Sequence, residues 1–164
     1  MQKGWPVLTL KQIVHDLPGT STPASHTPLF RGVWRPAPYA TLGGTPAGTR
    51  VIIDLTDGII EGRGLTARLQ GAAADWFVIG PDGTGTLDWR GRVVTEDNAL
   101  IYMYGTGRMN TSPGFGGKIV GACMFETGAE RYRWLNRLQA VYRAGMTDQG
   151  TADALYHDEY FELR

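Results

Sequence analysis

Only one cysteine, Cys123, occurs in 164 residues. No disulfide within the chain and no cysteine-based zinc site can therefore form. Neither sign of charge is in excess, with 16 basic and 16 acidic side chains. No global field then favours nucleic acid or an anionic membrane. Lysine is scarce, 3 against 13 arginines. No apolar run approaches membrane-spanning length, and the first residues lack a basic stretch followed by an apolar core. A cytoplasmic protein is the expectation. Gly105-Thr106-Gly107 lacks the helix that a dinucleotide fold places after its glycines, so neither flavin nor nicotinamide is expected. Ser21, Ser25 and Ser112 lie in loop-like stretches without a nucleophile elbow. Of the three histidines, His157 is the one followed by two acids, Asp158 and Glu159. Strand alternation splits them, so no metal is expected.

What is abundant is glycine, 23 residues, together with 9 prolines. They are spread along the chain and read as frequent turns between short strands. Residues 7–17 suit a strand or a short amphipathic helix, and residues 18–28 a loop. Residues 29–34 form a strand candidate. Residues 51–61 are strongly β, with a bulge or bend at Asp57-Gly58. Residues 65–69 continue the sheet. Residues 75–79 and 84–95 flank a turn at Gly80-Pro81-Asp82-Gly83, which marks a hairpin. After Glu96-Asp97-Asn98 comes another strand, 99–104. Residues 105–117 read as a flexible glycine-rich loop, followed by a strand over 118–125. Thr127 and Glu130 have capping-box spacing and predict a short helix through Trp134. Residues 138–144 and 154–163 are the last strands. In the latter, Ala154, Tyr156, Asp158 and Tyr160 alternate with Leu155, His157, Glu159 and Phe161. The pattern predicts an all-β, antiparallel barrel or sandwich with one short helix, built from residues 28–164. Residues 1–27 form an extension, or an extra strand plus loop.

A series of short motifs carries a resemblance. They are Thr45-Pro46-Ala47-Gly48 with Arg50, Glu61-Gly62, Asp75-Trp76, Pro81-Asp82-Gly83 and Leu87-Asp88 with Arg90. Thr95, Asp97, Ala99 and Ile101 follow, then Phe125-Glu126-Thr127-Gly128, Arg131-Tyr132 and Trp134-Leu135-Asn136. In order and spacing, from about Pro28 to the C-terminus, the chain resembles domain-of-unknown-function family 3237. The resemblance implies a lipocalin-like barrel with an enclosed pocket, and supplies no catalytic set. The chain departs from the family in three places. Ala72-Ala73-Ala74 replaces a glycine-rich approach to Asp75. The loop after Tyr104 is short. Val120 stands where the family usually has Arg, which implies a less anionic ligand if that Arg binds one.

Several side chains are candidates for chemistry. Asp75 beside Trp76 is a carboxyl whose pKa desolvation could raise, which suits proton transfer; the alternative is a turn aspartate beside a core Trp. Asp88 and Arg90 share a strand face and line the pocket if that face points inward; outward, they form an exposed ion pair. The hairpin, folded tightly about residues 80–83, predicts Asp75 and Asp88 on one face. Glu126 precedes the helix cap, and Glu61 follows the bulge. Tyr102 and Tyr104 share a face. Arg108, in the glycine-rich loop, is a lid candidate, and Trp134 offers aromatic area. Asp75, Asp88, Arg90 and Glu126 form the candidate catalytic set; Glu61, Trp76, Tyr102, Tyr104, Arg108 and Trp134 form the binding set.

These residues suit a cofactor-independent enzyme that moves protons on a small carbonyl- or hydroxyl-bearing compound, by isomerisation, cyclisation or elimination. The alternative is a passive small-molecule carrier. The expected partner is a small molecule, with no nucleic acid and no membrane, and self-association stays open.

Overall fold

In the computed structural model, residues 25–112 and 117–163 are described. The segment 7–17 lies outside them. Ten strands follow one another: β1 His26–Pro36, β2 Ala40–Thr45, β3 Gly48–Gly62, β4 Leu65–Leu69, β5 Ala74–Ile79, β6 Thr84–Thr95, β7 Leu100–Asn110, β8 Ile119–Glu126, β9 Ala140–Thr147 and β10 Leu155–Leu163. All pairings are antiparallel. The sheet closes into a barrel of eight strand positions. Closure comes from β1, which pairs with β10 on one side and β3 on the other. β4 and β5 share one position between β3 and β6, and β2 extends the β1 position along the first half of β3. A closed barrel leaves few unpaired edges.

Side-chain alternation follows from the strand repeat of two. β7 is the clearest case. Ile101, Met103, Gly105, Gly107 and Met109 are buried inside, while Leu100, Tyr102, Thr106, Arg108 and Asn110 are exposed outside. The expected glycine-rich loop therefore does not begin at Gly105, because β7 runs on to Asn110. These glycines serve close approach. A Cβ on Gly105 would lie 2.0 Å from the Trp89 indole nitrogen, so only glycine lets that ring lie against the wall. The bulge expected at Asp57-Gly58 sits at Thr56, where Arg35 faces Asp57 and Pro36 faces Leu55.

The helix is a 3-10 helix, Glu130–Arg137. Its expected capping box does not form. Ala129 is the cap, without a side-chain bond, and Glu130 pairs forward with Arg133 at 2.7 Å. Thr127 instead takes the Ala129 N–H at 3.2 Å and donates to the Leu100 carbonyl at 2.7 Å. It thus pins the segment to β7. Beneath this helix the barrel end is filled. Phe30 meets Phe125 edge-on at 5.8 Å and Trp134 at 6.1 Å, and Phe125 meets Tyr160 at 6.3 Å. The other half of the interior is open. Among the described residues no helix is long and apolar enough to cross a membrane.

Candidate functional site

The open half of the barrel holds a cavity lined by side chains from seven strands. Trp34 comes from β1, Ile53 and Leu55 from β3, Asp75 from β5, and Leu87 and Trp89 from β6. Ile119 comes from β8, Tyr142 and Ala144 from β9, and Tyr156 and Asp158 from β10. Its void is about 450 Å³, open mouth included. A smaller recess continues from it past Asp75, Tyr156, Phe77 and Met109. Asp75 and Tyr156 therefore stand where the two spaces meet. The walls are apolar and aromatic, with Trp34 and Trp89 in contact at 6.1 Å and 48° between ring planes. Apolar walls with a few polar groups are the usual make-up of a small-molecule site.

Two carboxyls face this space. Asp75 Oδ1 accepts the backbone N–H of Asp88 at 2.9 Å. Burial outweighs that bond and pushes its pKa up to about 7, and the Asp88 charge adds to the rise. Asp158 is 8% exposed. Its Oδ2 accepts from the Trp34 indole at 2.8 Å and from the Tyr160 hydroxyl at 2.7 Å. Burial again dominates and raises it to about 6, with the two donors pulling it back down. Neither carboxyl owes its shift to the other, whereas burial pushes the Tyr142 and Tyr156 hydroxyls up and the charges of both carboxyls add to it. At neutral pH Asp158 is thus mostly ionised and Asp75 is close to half protonated. Cys123, on the inner face of β8, is fully buried, and that burial pushes its thiol well up, which makes it inert.

Asp75 is the one member of the expected catalytic set that lines this cavity. Asp88 and Arg90 face outward. The reason is the turn. Gly80 and Thr84 close a three-residue loop with Gly83 at φ 79°, and Ile79 pairs with Gly85. This adds one residue to a tight two-residue turn, so Asp75 pairs with Trp89, not Asp88. A slip of one residue exchanges the faces. Leu87 and Trp89 point inward, and Arg90 Nη2 lies 3.1 and 3.2 Å from the two Asp88 oxygens outside. Arg90 also lies over Tyr104 at 5.2 Å and within 6.0 Å of the exposed Trp76 ring.

The remaining expected residues are dispersed. Glu61, Tyr102, Arg108 and Glu126 are exposed on the outer surface, and Arg108 lies in β7, not in a mobile lid. Trp134 packs on Phe30 beneath Arg63 at the filled end. The expected convergence of Asp75, Asp88, Arg90, Glu126 and Trp134 on one pocket is therefore not what the fold produces. Val120, at the family's usual Arg position, is 60% exposed and outside the lumen. Trp34, Tyr142 and Asp158 were absent from the expected site. Their signal was present for Asp158: it alternates in phase with Tyr156 and Tyr160, and a carboxylate on an aromatic inward face needs a reason. Among the described residues no group of three His, Cys, Asp or Glu is placed to hold a metal.

Solved structures share this barrel. A β-barrel-like protein from Acinetobacter baumannii AYE is 29% identical, with a TM-score of 0.70 over 88% of this chain and 99% of its own. A conserved protein of unknown function from Rhodopseudomonas palustris matches at 19% identity and TM-score 0.74, over 88% of this chain and 100% of its own. An enzyme from Penicillium herquei matches at 23% identity and TM-score 0.66, over 90% and 100%. No curated protein matches the chain. The model of one protein family matches residues 24–156, which is most of the chain and all but the last strand of the barrel. On that match the chain belongs to the family described as protein of unknown function, DUF3237.

Proposed function

We propose that this barrel is a cofactor-independent enzyme that transfers protons on a small carbonyl- or hydroxyl-bearing compound, with isomerisation, cyclisation or elimination as the outcome. The observation that carries this is a pair of carboxyls, half-buried Asp75 and buried Asp158, facing one apolar cavity with different set points. Two acids whose surroundings hold them at different pKa values are the ordinary means of having an acid and a base at one pH. Asp158, ionised and oriented by Trp34 and Tyr160, serves as the base. Asp75 serves as the acid. The dry walls strengthen both interactions and exclude competing water. That a barrel of this fold is an enzyme in Penicillium herquei is in keeping with the assignment.

Exchange of α-protons for deuterium on small uncharged ketones, cyclohexanone and acetophenone among them, tests the assignment by NMR. The native chain should exchange them above the buffer rate. Asp75→Asn and Asp158→Asn should each lower that rate at least a hundredfold (about the contribution of one acid or base) while keeping the fold. Full exchange in both variants would remove the two carboxyls from the roles of acid and base, whereas no exchange above buffer would favour the second reading. That reading is a carrier, for which the largely apolar lining speaks.

A further inference from the structure

Tyr142 presents the least satisfied polar atom of the lumen. Its side chain is 4% exposed, and its hydroxyl has no hydrogen-bond partner among the described residues. The Trp89 indole lies against the same oxygen closely enough to influence its ionisation, but without hydrogen-bonding geometry. An indole N–H is a donor only, so it cannot take the Tyr142 proton in any case. A buried hydroxyl left in this state is costly. The fold nevertheless makes room for it. Gly107 lies beside it, where a Cβ would come within 2.8 Å of the hydroxyl, and Gly121 leaves space for the ring itself. The O–H is thus an unused donor at the wall of a cavity that apolar side chains such as Trp34, Trp89, Leu87 and Ile119 line together with Tyr156 and the two carboxyls.

The charge pattern adds a second constraint. Among the described residues every lysine, arginine and histidine is exposed, apart from the half-buried Arg50, whose guanidinium donates to the Trp76 carbonyl on the outer face. Among the described residues, the lumen lining therefore has two carboxyls and no cation. A carboxylate or phosphate group entering it would lose its hydration, gain no counter-charge and meet at least one negative side chain.

We propose that Tyr142 is the oxygen-recognition residue of the lumen, donating to the carbonyl or ether oxygen of an uncharged compound, and that the lumen rejects anions. This deepens the proton-transfer assignment by naming what the same cavity accepts, and it rests on that cavity being the site. It also gives the reaction a polarising donor. A carbonyl held on Tyr142 has its oxygen fixed while the carboxyls act on its hydrogens.

Three probes of nearly one shape separate the contributions: acetophenone, ethylbenzene and benzoate, titrated at pH 8 into the whole chain and followed by two-dimensional NMR. Acetophenone should bind and shift the signals of Trp34 and Trp89. Tyr142→Phe, which deletes one oxygen, should weaken acetophenone about tenfold, the usual worth of one such bond, and leave ethylbenzene unchanged or tighter. Benzoate should cause no saturable lumen shifts in either protein. Unchanged acetophenone affinity in Tyr142→Phe would overturn the proposal. So would benzoate binding as well as acetophenone, or neither neutral probe binding. Asp75→Asn and Asp158→Asn should keep acetophenone affinity within a few-fold. If they also keep α-proton exchange while Tyr142→Phe loses binding, the proton-transfer assignment fails and the oxygen-recognition role stands.

Discussion

Replacing Asp75 by Asn should make the protein's stability markedly less dependent on pH between 5 and 8. The sign follows from burial. The unfolded aspartate titrates near 3.8, whereas the folded one is raised to about 7. Between those values the folded chain holds a proton that the unfolded chain has lost. Stability contributed in this way is fully present below the unfolded value and is lost as pH rises through 7. Integrating from pH 5 to pH 8, Asp75 removes about 3 kcal/mol, and Asp158, raised to about 6, removes about 1 kcal/mol more. The native chain should therefore lose about 4 kcal/mol over this range, and Asp75→Asn only about 1 kcal/mol. The amide oxygen still accepts the Asp88 N–H, so packing is kept. Urea unfolding at several pH values, with equal slopes in both proteins, gives the comparison. Surface groups common to both chains cancel in the difference. Parallel stability profiles for the two proteins would show that Asp75 titrates normally and would remove the basis for its role as an acid.

Three more outcomes follow from the geometry. If Asp158 is the base and Asp75 the acid, kcat/KM should be bell-shaped with limbs near pH 6 and 7, and Trp34→Phe should move the acidic limb up by about one unit by deleting one donor to Asp158; a flat profile would contradict the roles. Asp88→Asn and Arg90→Ala should each leave α-proton exchange within about twofold and stability within about 1 kcal/mol, as for an exposed ion pair. Gly105→Ala should destabilise the chain by about 2 kcal/mol, read as a lower urea midpoint, because the new methyl meets the Trp89 ring.

Composition and local pattern were enough for an antiparallel barrel or sandwich, and the family resemblance pointed to the barrel. Turn residues between alternating segments specify antiparallel strands, and a period of two is a local property of the backbone. The bulge near Asp57 and the hairpin at Gly80–Gly83 were legible for the same reason. The capping box was legible as spacing but not realised, because Thr127 finds a better partner in Leu100, a residue 27 positions away. The glycines of β7 were misleading, since an aromatic ring from a neighbouring strand and a flexible loop call for the same residue.

The site divides along the same line. Asp75 beside an aromatic residue was visible in the sequence, but Trp76 is exposed on the opposite face of β5, and it is the closed interior that desolvates the carboxyl. Which partner shares its cavity was not visible. One extra residue in a turn decides whether Asp88 or Trp89 faces inward, and a strand written as alternating letters has two faces of equal standing until the sheet closes. Closure is a tertiary event. It carries β10 around to β1, places Asp158 on the Trp34 indole 124 residues away, and strands the Tyr142 hydroxyl among apolar walls. The sequence alone determined a β-barrel with a candidate acid. The tertiary structure alone decided which face became its interior, because only there does desolvation raise a carboxyl's pKa and leave a hydroxyl without a partner.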